Sequence, residues 1–197
     1  MKIIELELRS EVAIKEYAGL LAKLKKSGKL ISKTRRCSVM FFGSAGGHKL
    51  DIRIRVTNGK AELVIKKGAL HAHDRIEFSQ PIQKNEMSGL ARTFSLFGFA
   101  SKVGERETMN FDFGKNTIVS LVKAGPIAYL EIERMSDKKD LLQNKRELVL
   151  LLKNLGYKSV DKNEFKDLCD RLSKHIDWEF GATKNDLKKL QNILNKY

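Results

Sequence analysis

The chain has 197 residues, of which 42% are hydrophobic and 31% charged, a balance that suits one globular domain with at most a small appendage and excludes a disordered polymer. No apolar run reaches the roughly 18 residues that a membrane span needs, and a charged strand stands where a signal peptide would place its apolar core, so a cytoplasmic protein without membrane contact is expected. The formal net charge of +14 points to an anionic partner, and residues 1–136 hold most of the excess, with 24 Lys+Arg against 14 Asp+Glu.

The first stretch, Met1-Lys2-Ile3-Ile4-Glu5-Leu6-Glu7-Leu8-Arg9, alternates with a period of two and reads as a β-strand. Ile4, Leu6 and Leu8 share one face; Glu5, Glu7 and Arg9 share the other. If the charged face meets water, this is an ordinary strand of a half-solvated antiparallel sheet. If it faces inward, two carboxylates at i, i+2 make a site for a hard cation such as Mg2+ or Mn2+. The spacing alone leaves both open.

Ser10 is expected to cap a helix that carries Ile14, Tyr17, Leu20, Leu21 and Leu24 and stops at Gly28. Its basic end, Lys23, Lys25 and Lys26, suits the helix dipole. With Lys29, Lys33, Arg35 and Arg36 the basic run reads as a solvated helix end, the alternative being a contact for RNA or an anionic surface; no aromatics interleave to stack bases.

From Arg35 to about Ser79 short β-runs are divided by glycine turns, with strands expected over 37–42, 49–56, 60–66 and 73–80. Asn58-Gly59 fits a tight hairpin. The glycine-rich run 43–50 is not a phosphate-binding P-loop, because the second glycine and the Ser/Thr of that motif fall at His48 and Leu50; a flexible loop is expected. His71 and His73 share a strand face but lack a third ligand. A helix follows over 84–97, then strands over 102–113 and 116–134, the second broken at Gly125-Pro126. Beyond residue 137 the pattern turns helical. One helix ends at Gly156, a second starts from Asp161 with Phe165, Leu168, Cys169 and Leu172 on one face, and a third starts from Thr183. Cys37 and Cys169 form no CxxC pair and read as small buried hydrophobes.

Charged faces recur. Asp51, Arg53 and Arg55 share one, Glu62 and Lys66 another, Arg75 and Glu77 a third, and Tyr129, Glu131 and Glu133 close the β-region. Few helices in residues 1–136 are available to cover a sheet, and closing the strands into a polar-lined barrel would remove both the open edge and the uncovered face. Such a lining needs counter-ions, which divalent cations and phosphates supply together.

Glu5-Leu6-Glu7 with a basic residue at position 9, Arg53-Ile54-Arg55, Lys66, Arg75-x-Glu77 and Glu131-Ile132-Glu133 after Gly125-Pro126 together resemble the CYTH or triphosphate tunnel metalloenzyme superfamily. Its members include class IV adenylate cyclases, thiamine triphosphatases, inorganic triphosphatases and RNA triphosphatases. The resemblance covers about residues 1–157 and implies an α+β fold: a closed eight-stranded antiparallel β-barrel, or tunnel, with flanking helices; the helical pattern of residues 158–197 is expected to form a C-terminal extension packed on it. It implies Mg2+ or Mn2+ on Glu5, Glu7, Glu131 and Glu133, a catalytic group of Glu5, Glu7 and Arg9, and phosphates gripped by Arg53, Arg55, Lys66, Arg75 and Arg106.

The sequence departs from the family pattern at four places. Arginine stands at position 9 where lysine is usual, Ser79 replaces the last Glu of Arg-x-Glu-x-Glu, Gly104 stands where a basic residue is expected with Lys102 as a substitute, and a usual aspartate falls near Val119. The leading expectation is metal-dependent hydrolysis of inorganic triphosphate or a nucleoside or organic triphosphate. The alternatives are cyclisation of ATP to cyclic AMP and pyrophosphate, and a non-catalytic module that binds polyphosphate or an RNA 5′ end. The oligomeric state is left open, a homodimer included.

Overall fold

The computed structural model describes residues 3–68 and 76–197, with residues 3–5 and 162 placed by backbone alone. In chain order the elements are β1 (Ile3–Val12), α1 (Tyr17–Ser27), β2 (Lys29–Ala45), β3 (His48–Thr57), β4 (Lys60–Lys67), β5 (Ile76–Ile82), α2 (Met87–Ser95), β6 (Ala100–Asp112), β7 (Thr117–Ala124), β8 (Ile127–Asp137), α3 (Leu141–Leu155), α4 (Lys162–His175), β9 (Trp178–Glu179) and α5 (Lys184–Leu194). The strands form an antiparallel sheet accompanied by five α-helices among the described residues, which is the expected α+β class. Two compact units divide the chain. The first joins the residues up to Thr34 with Glu107–Leu172, the second Arg35–Arg106 with Ser173–Tyr197.

In the first unit the strand order is β1-β8-β7-β6-β2. The alternation in β8 sends Leu130 and Ile132 into the core, fully buried, and leaves Tyr129, Glu131 and Glu133 half-buried on the other face. Val12, Leu20, Leu24, Phe111, Leu121, Leu148 and Leu152 complete that core. Ser10 does not cap a helix: β1 continues through it to Val12, which pairs with Ala128 and is 2% exposed. The ladder and the burial of Val12 outweigh a cap, and α1 begins later, after a short 3-10 turn at Ile14–Glu16. The basic run is likewise corrected. Only residues up to Ser27 are helical, and Lys29–Arg36 is the start of β2. Gly28 makes that change of direction because it lies against the Phe113 ring, where a Cβ would come within 2.5 Å.

In the second unit β2, β3, β4 and β5 are neighbours in that order, and β9 pairs with β6. The expected flexible loop at 43–50 is instead a tight hairpin: Ala45 pairs with His48 around Gly46 (φ 55°) and Gly47 (φ 75°), the two positive φ values such a turn requires. The Asn58-Gly59 hairpin is as expected, with φ 47° and 83°. Cys37, Phe41, Ile54, Met87, Val103, Phe180 and Leu190 fill this unit's core. Cys37 is buried as expected, whereas Cys169 is half-buried. Asp161 accepts the Asn163 and Glu164 N–H groups at the head of α4, and Thr183 with Asp186 forms the capping box of α5. The strand expected over 73–80 is described from Ile76 onward; His71, His73 and Arg75 lie outside the described residues. Among the described residues no helix is long and apolar enough to cross a membrane.

Candidate metal and phosphate site

The register of β1 on β8 sets the carboxylates. Glu7 lies opposite Glu133, and Arg9 opposite Glu131. One oxygen each from Glu7, Glu131 and Glu133 lies within 4.8 Å of the others, all three side chains half-buried. Like charges placed across a ladder destabilise it unless a cation sits among them. Arg9 provides one: it forms an ion pair with Glu7, and its Nε donates to Glu131 Oε1 at 3.1 Å. The guanidinium lies 4.2 Å from the centroid of the Phe165 ring, and the Arg9 carbonyl accepts the Val160 N–H at 2.8 Å. Val160, just before α4, and Phe165, within it, therefore fix both ends of Arg9. Glu5 is opposite Met135 by backbone register, and its side chain lies outside the described ones.

This donor set fits a hard divalent cation. It is all oxygen, carries more than one negative charge, and is partly open, so waters can complete a coordination shell. It offers no sulfur or imidazole that would favour a softer metal.

A row of uncharged polar groups, missed in the sequence, continues from Glu131 across the sheet. Ser120 on β7 lies opposite Glu131, and Asn110 on β6 lies opposite Ser120. Ser120 Oγ donates to Asn110 Oδ1 at 2.8 Å, and Asn110 Nδ2 donates to Ser32 Oγ at 2.8 Å. The available signal was the alternation of Ser120 and Asn110 with the buried Leu121 and Phe111, which carries no charge to draw notice.

The expected phosphate-gripping residues Arg53, Arg55, Lys66 and Arg106 all belong to the second unit. Each holds an acidic partner. Arg53 donates Nε and Nη2 to the buried Asp51 at 2.9 and 2.8 Å. Arg55 Nε donates to Glu62 Oε1 at 2.8 Å, while Ser79 Oγ donates to Glu62 Oε2 at 2.7 Å. Burial acts to raise the Glu62 pKa, but the hydrogen bonds from Arg55 and Ser79 and the charges of Arg55 and Arg36 outweigh it and hold the carboxyl below its usual range. Lys66 Nζ reaches Glu77 Oε2 at 2.6 Å. Arg106 donates to both oxygens of Asp177 at 2.8 and 3.2 Å. In each pair the acidic partner takes donors that a phosphate would also use.

Residues 4–164 match the family model of the CYTH domain. No curated protein matches the chain in sequence. Among solved structures, the PH1012 protein of Pyrococcus horikoshii is 19% identical, covers 82% of this chain and 93% of its own, and superposes with a TM-score of 0.58. An adenylate cyclase candidate of Vibrio parahaemolyticus is 16% identical over 85% of this chain and 98% of its own, with a TM-score of 0.62. HpAC1 of Hippeastrum, an adenylyl cyclase candidate with a dominant triphosphatase activity, is 18% identical over 86% and 96%, with a TM-score of 0.51. At these identities the likeness is one of fold. Members of the family are metal-dependent enzymes that act on triphosphates, as hydrolases or cyclases. With the family model matched over residues 4–164, the chain belongs to the CYTH domain family.

Proposed function

We propose that this protein is a divalent-metal-dependent triphosphatase, acting on inorganic triphosphate or a small molecule that carries a triphosphate. The observation that carries the reading is the convergence of Glu7, Glu131 and Glu133 oxygens within 4.8 Å beside the Arg9 guanidinium. Glu5, Glu7, Glu131 and Glu133 would hold Mg2+ or Mn2+, which when bound neutralises charge on the phosphate chain and acidifies a water. Arg53, Arg55, Lys66, Arg75 and Arg106 are the residues assigned to the phosphates. Phosphoryl transfer asks a protein mainly for positioning and charge neutralisation, which this residue set supplies.

Arg9 favours hydrolysis over cyclisation. A guanidinium stays charged and cannot take the ribose hydroxyl proton that cyclisation must remove, whereas it can stabilise developing negative charge on a transferring phosphoryl group. Residues 158–172, the first part of an extension of a domain formed by residues 1–157, serve the same site, since Phe165 supports Arg9.

The test is product analysis after separate incubation with ATP and inorganic triphosphate, with Mg2+ and with Mn2+. Orthophosphate from inorganic triphosphate is the expected product. Cyclic AMP and pyrophosphate from ATP, with inorganic triphosphate left intact, would replace hydrolysis by cyclisation. Salt-sensitive binding without turnover under either metal would make the protein a binding module.

A further inference from the structure

Residues 102, 104 and 106 of β6 share one face, and the middle one is glycine. The place its side chain would take is filled by Asp177. A Cβ at Gly104 would come within 2.4 Å of Asp177 Oδ1 and 3.0 Å of Arg106 Nη1. The ladder of β6 with β9 pairs Lys102 with Glu179 and Val103 with Trp178, so one step further Asp177 arrives across from Gly104. Arg106 grips Asp177 with Nη1 at 2.8 Å and Nη2 at 3.2 Å, while Lys102 Nζ reaches Oδ2 at 3.0 Å and donates to Ser173 Oγ at 2.5 Å. The Asp177 side chain has no exposed surface.

Asp177 differs from the acids that face the other cations. Asp51 lies two residues from Arg53 and Glu62 seven from Arg55, whereas Asp177 is 71 residues from Arg106. It also takes two cations, Lys102 and Arg106, on one enclosed carboxylate. A forked guanidinium and an ammonium on two oxygens of one anion form an arrangement that a phosphate satisfies as well as a carboxylate does.

We propose that the Lys102–Gly104–Arg106 face of β6 is an anion site filled by the chain's own Asp177. The inference rests on the reading above that this chain's cations bind a phosphate chain. It assigns Asp177 a specificity role: by holding Lys102 and Arg106 it competes with the substrate's phosphates for these two cations and limits how tightly a polyanion is held. Emptying the site while keeping both cations creates a stronger phosphate site.

The experiment is calorimetric titration of inorganic triphosphate, in EDTA, into the wild type, Asp177→Asn and Asp177→Ala. Asp177→Asn removes the charge in an isosteric way. Asp177→Ala keeps both cations and empties the anion position of its carboxylate. Both variants are expected to bind triphosphate at least ten-fold more tightly than wild type, with a steeper loss of affinity as salt rises. Folded variants that bind with wild-type affinity or more weakly overturn the proposal. If either variant unfolds without ligand, millimolar triphosphate is expected to restore its cooperative unfolding transition, and failure to do so counts against the proposal equally. A wild type that neither binds nor hydrolyses triphosphate sinks the hydrolase reading alone if the variants bind. A wild type that binds, with variants no tighter, sinks only this inference.

Discussion

Glu7 on β1 stands directly across from Glu133 on β8, so two carboxylates face each other over one rung of an antiparallel ladder. Such a pair opposes folding by about 0.2–1 kcal/mol, less what the Arg9 guanidinium beside it offsets. A purely structural sheet gains nothing from it. Glu133→Gln is therefore expected to leave metal-free stability unchanged or slightly raised, measured by urea unfolding in EDTA. Metal-dependent turnover in the same variant is expected to fall by about 100-fold or more, since loss of even the outer partners of metal ligands typically costs 10–100-fold in metal affinity or activity. Loss of stability with activity retained would mark Glu133 as structural.

Phe165 lies under the Arg9 guanidinium at 4.2 Å. A cation–π contact at a partly exposed site contributes about 0.5–1 kcal/mol, so Phe165→Leu is expected to lower kcat roughly two- to five-fold while KM changes less. Steady-state kinetics with inorganic triphosphate checks this. A change confined to KM would place the ring in binding and not in the orientation of Arg9.

Glu147 on α3 accepts hydrogen bonds from Arg134, Gln143 and Lys115, in that order of effect, and together they pull its pKa down to about 2 from 4.5. A carboxyl depressed in the folded state contributes stability in full above its unfolded value, and that contribution is lost as pH falls. Urea midpoints are expected to decline between pH 4.5 and 2, and to decline less steeply in Glu147→Gln. Parallel curves for the two proteins would contradict this role.

Cys37 is fully buried, and burial, with the charge of Glu105 adding to it, pushes its thiol up to about 12. The thiolate is the reactive form. In the native protein at pH 8, Cys37 is expected to resist iodoacetamide and to become labelled at the rate of unfolding in added urea, as peptide mapping would show. Rapid labelling without urea would contradict its burial.

Charge and period made much of this legible in the sequence, and they did so where a strand has one wet and one dry face. Ile52, Ile54 and Val56 fill a core with Arg53 and Arg55 opposite, as the alternation indicates. Lys29–Arg36 escaped notice because its charges suggested a helix end and hid the first half of β2. Register is not written in the period. Nothing in Glu5-Leu6-Glu7 says that Glu7 meets Glu133 while Arg9 meets Glu131, since the pairing is set by the whole length of the β1–β8 ladder. Phe165 and Asp177 were missed for a different reason: they reach Arg9 and Arg106 from distant positions, and the two-residue β9 that aligns Asp177 is too short to show a pattern.

The most direct measurement is orthophosphate release from inorganic triphosphate as Mn2+ is titrated, run side by side for the wild type and Glu131→Gln. The account predicts release that is absent in EDTA, saturates with Mn2+ in the wild type, and falls by about 100-fold in a folded Glu131→Gln protein. Release that persists in EDTA, or that is equal in the two proteins, would contradict it.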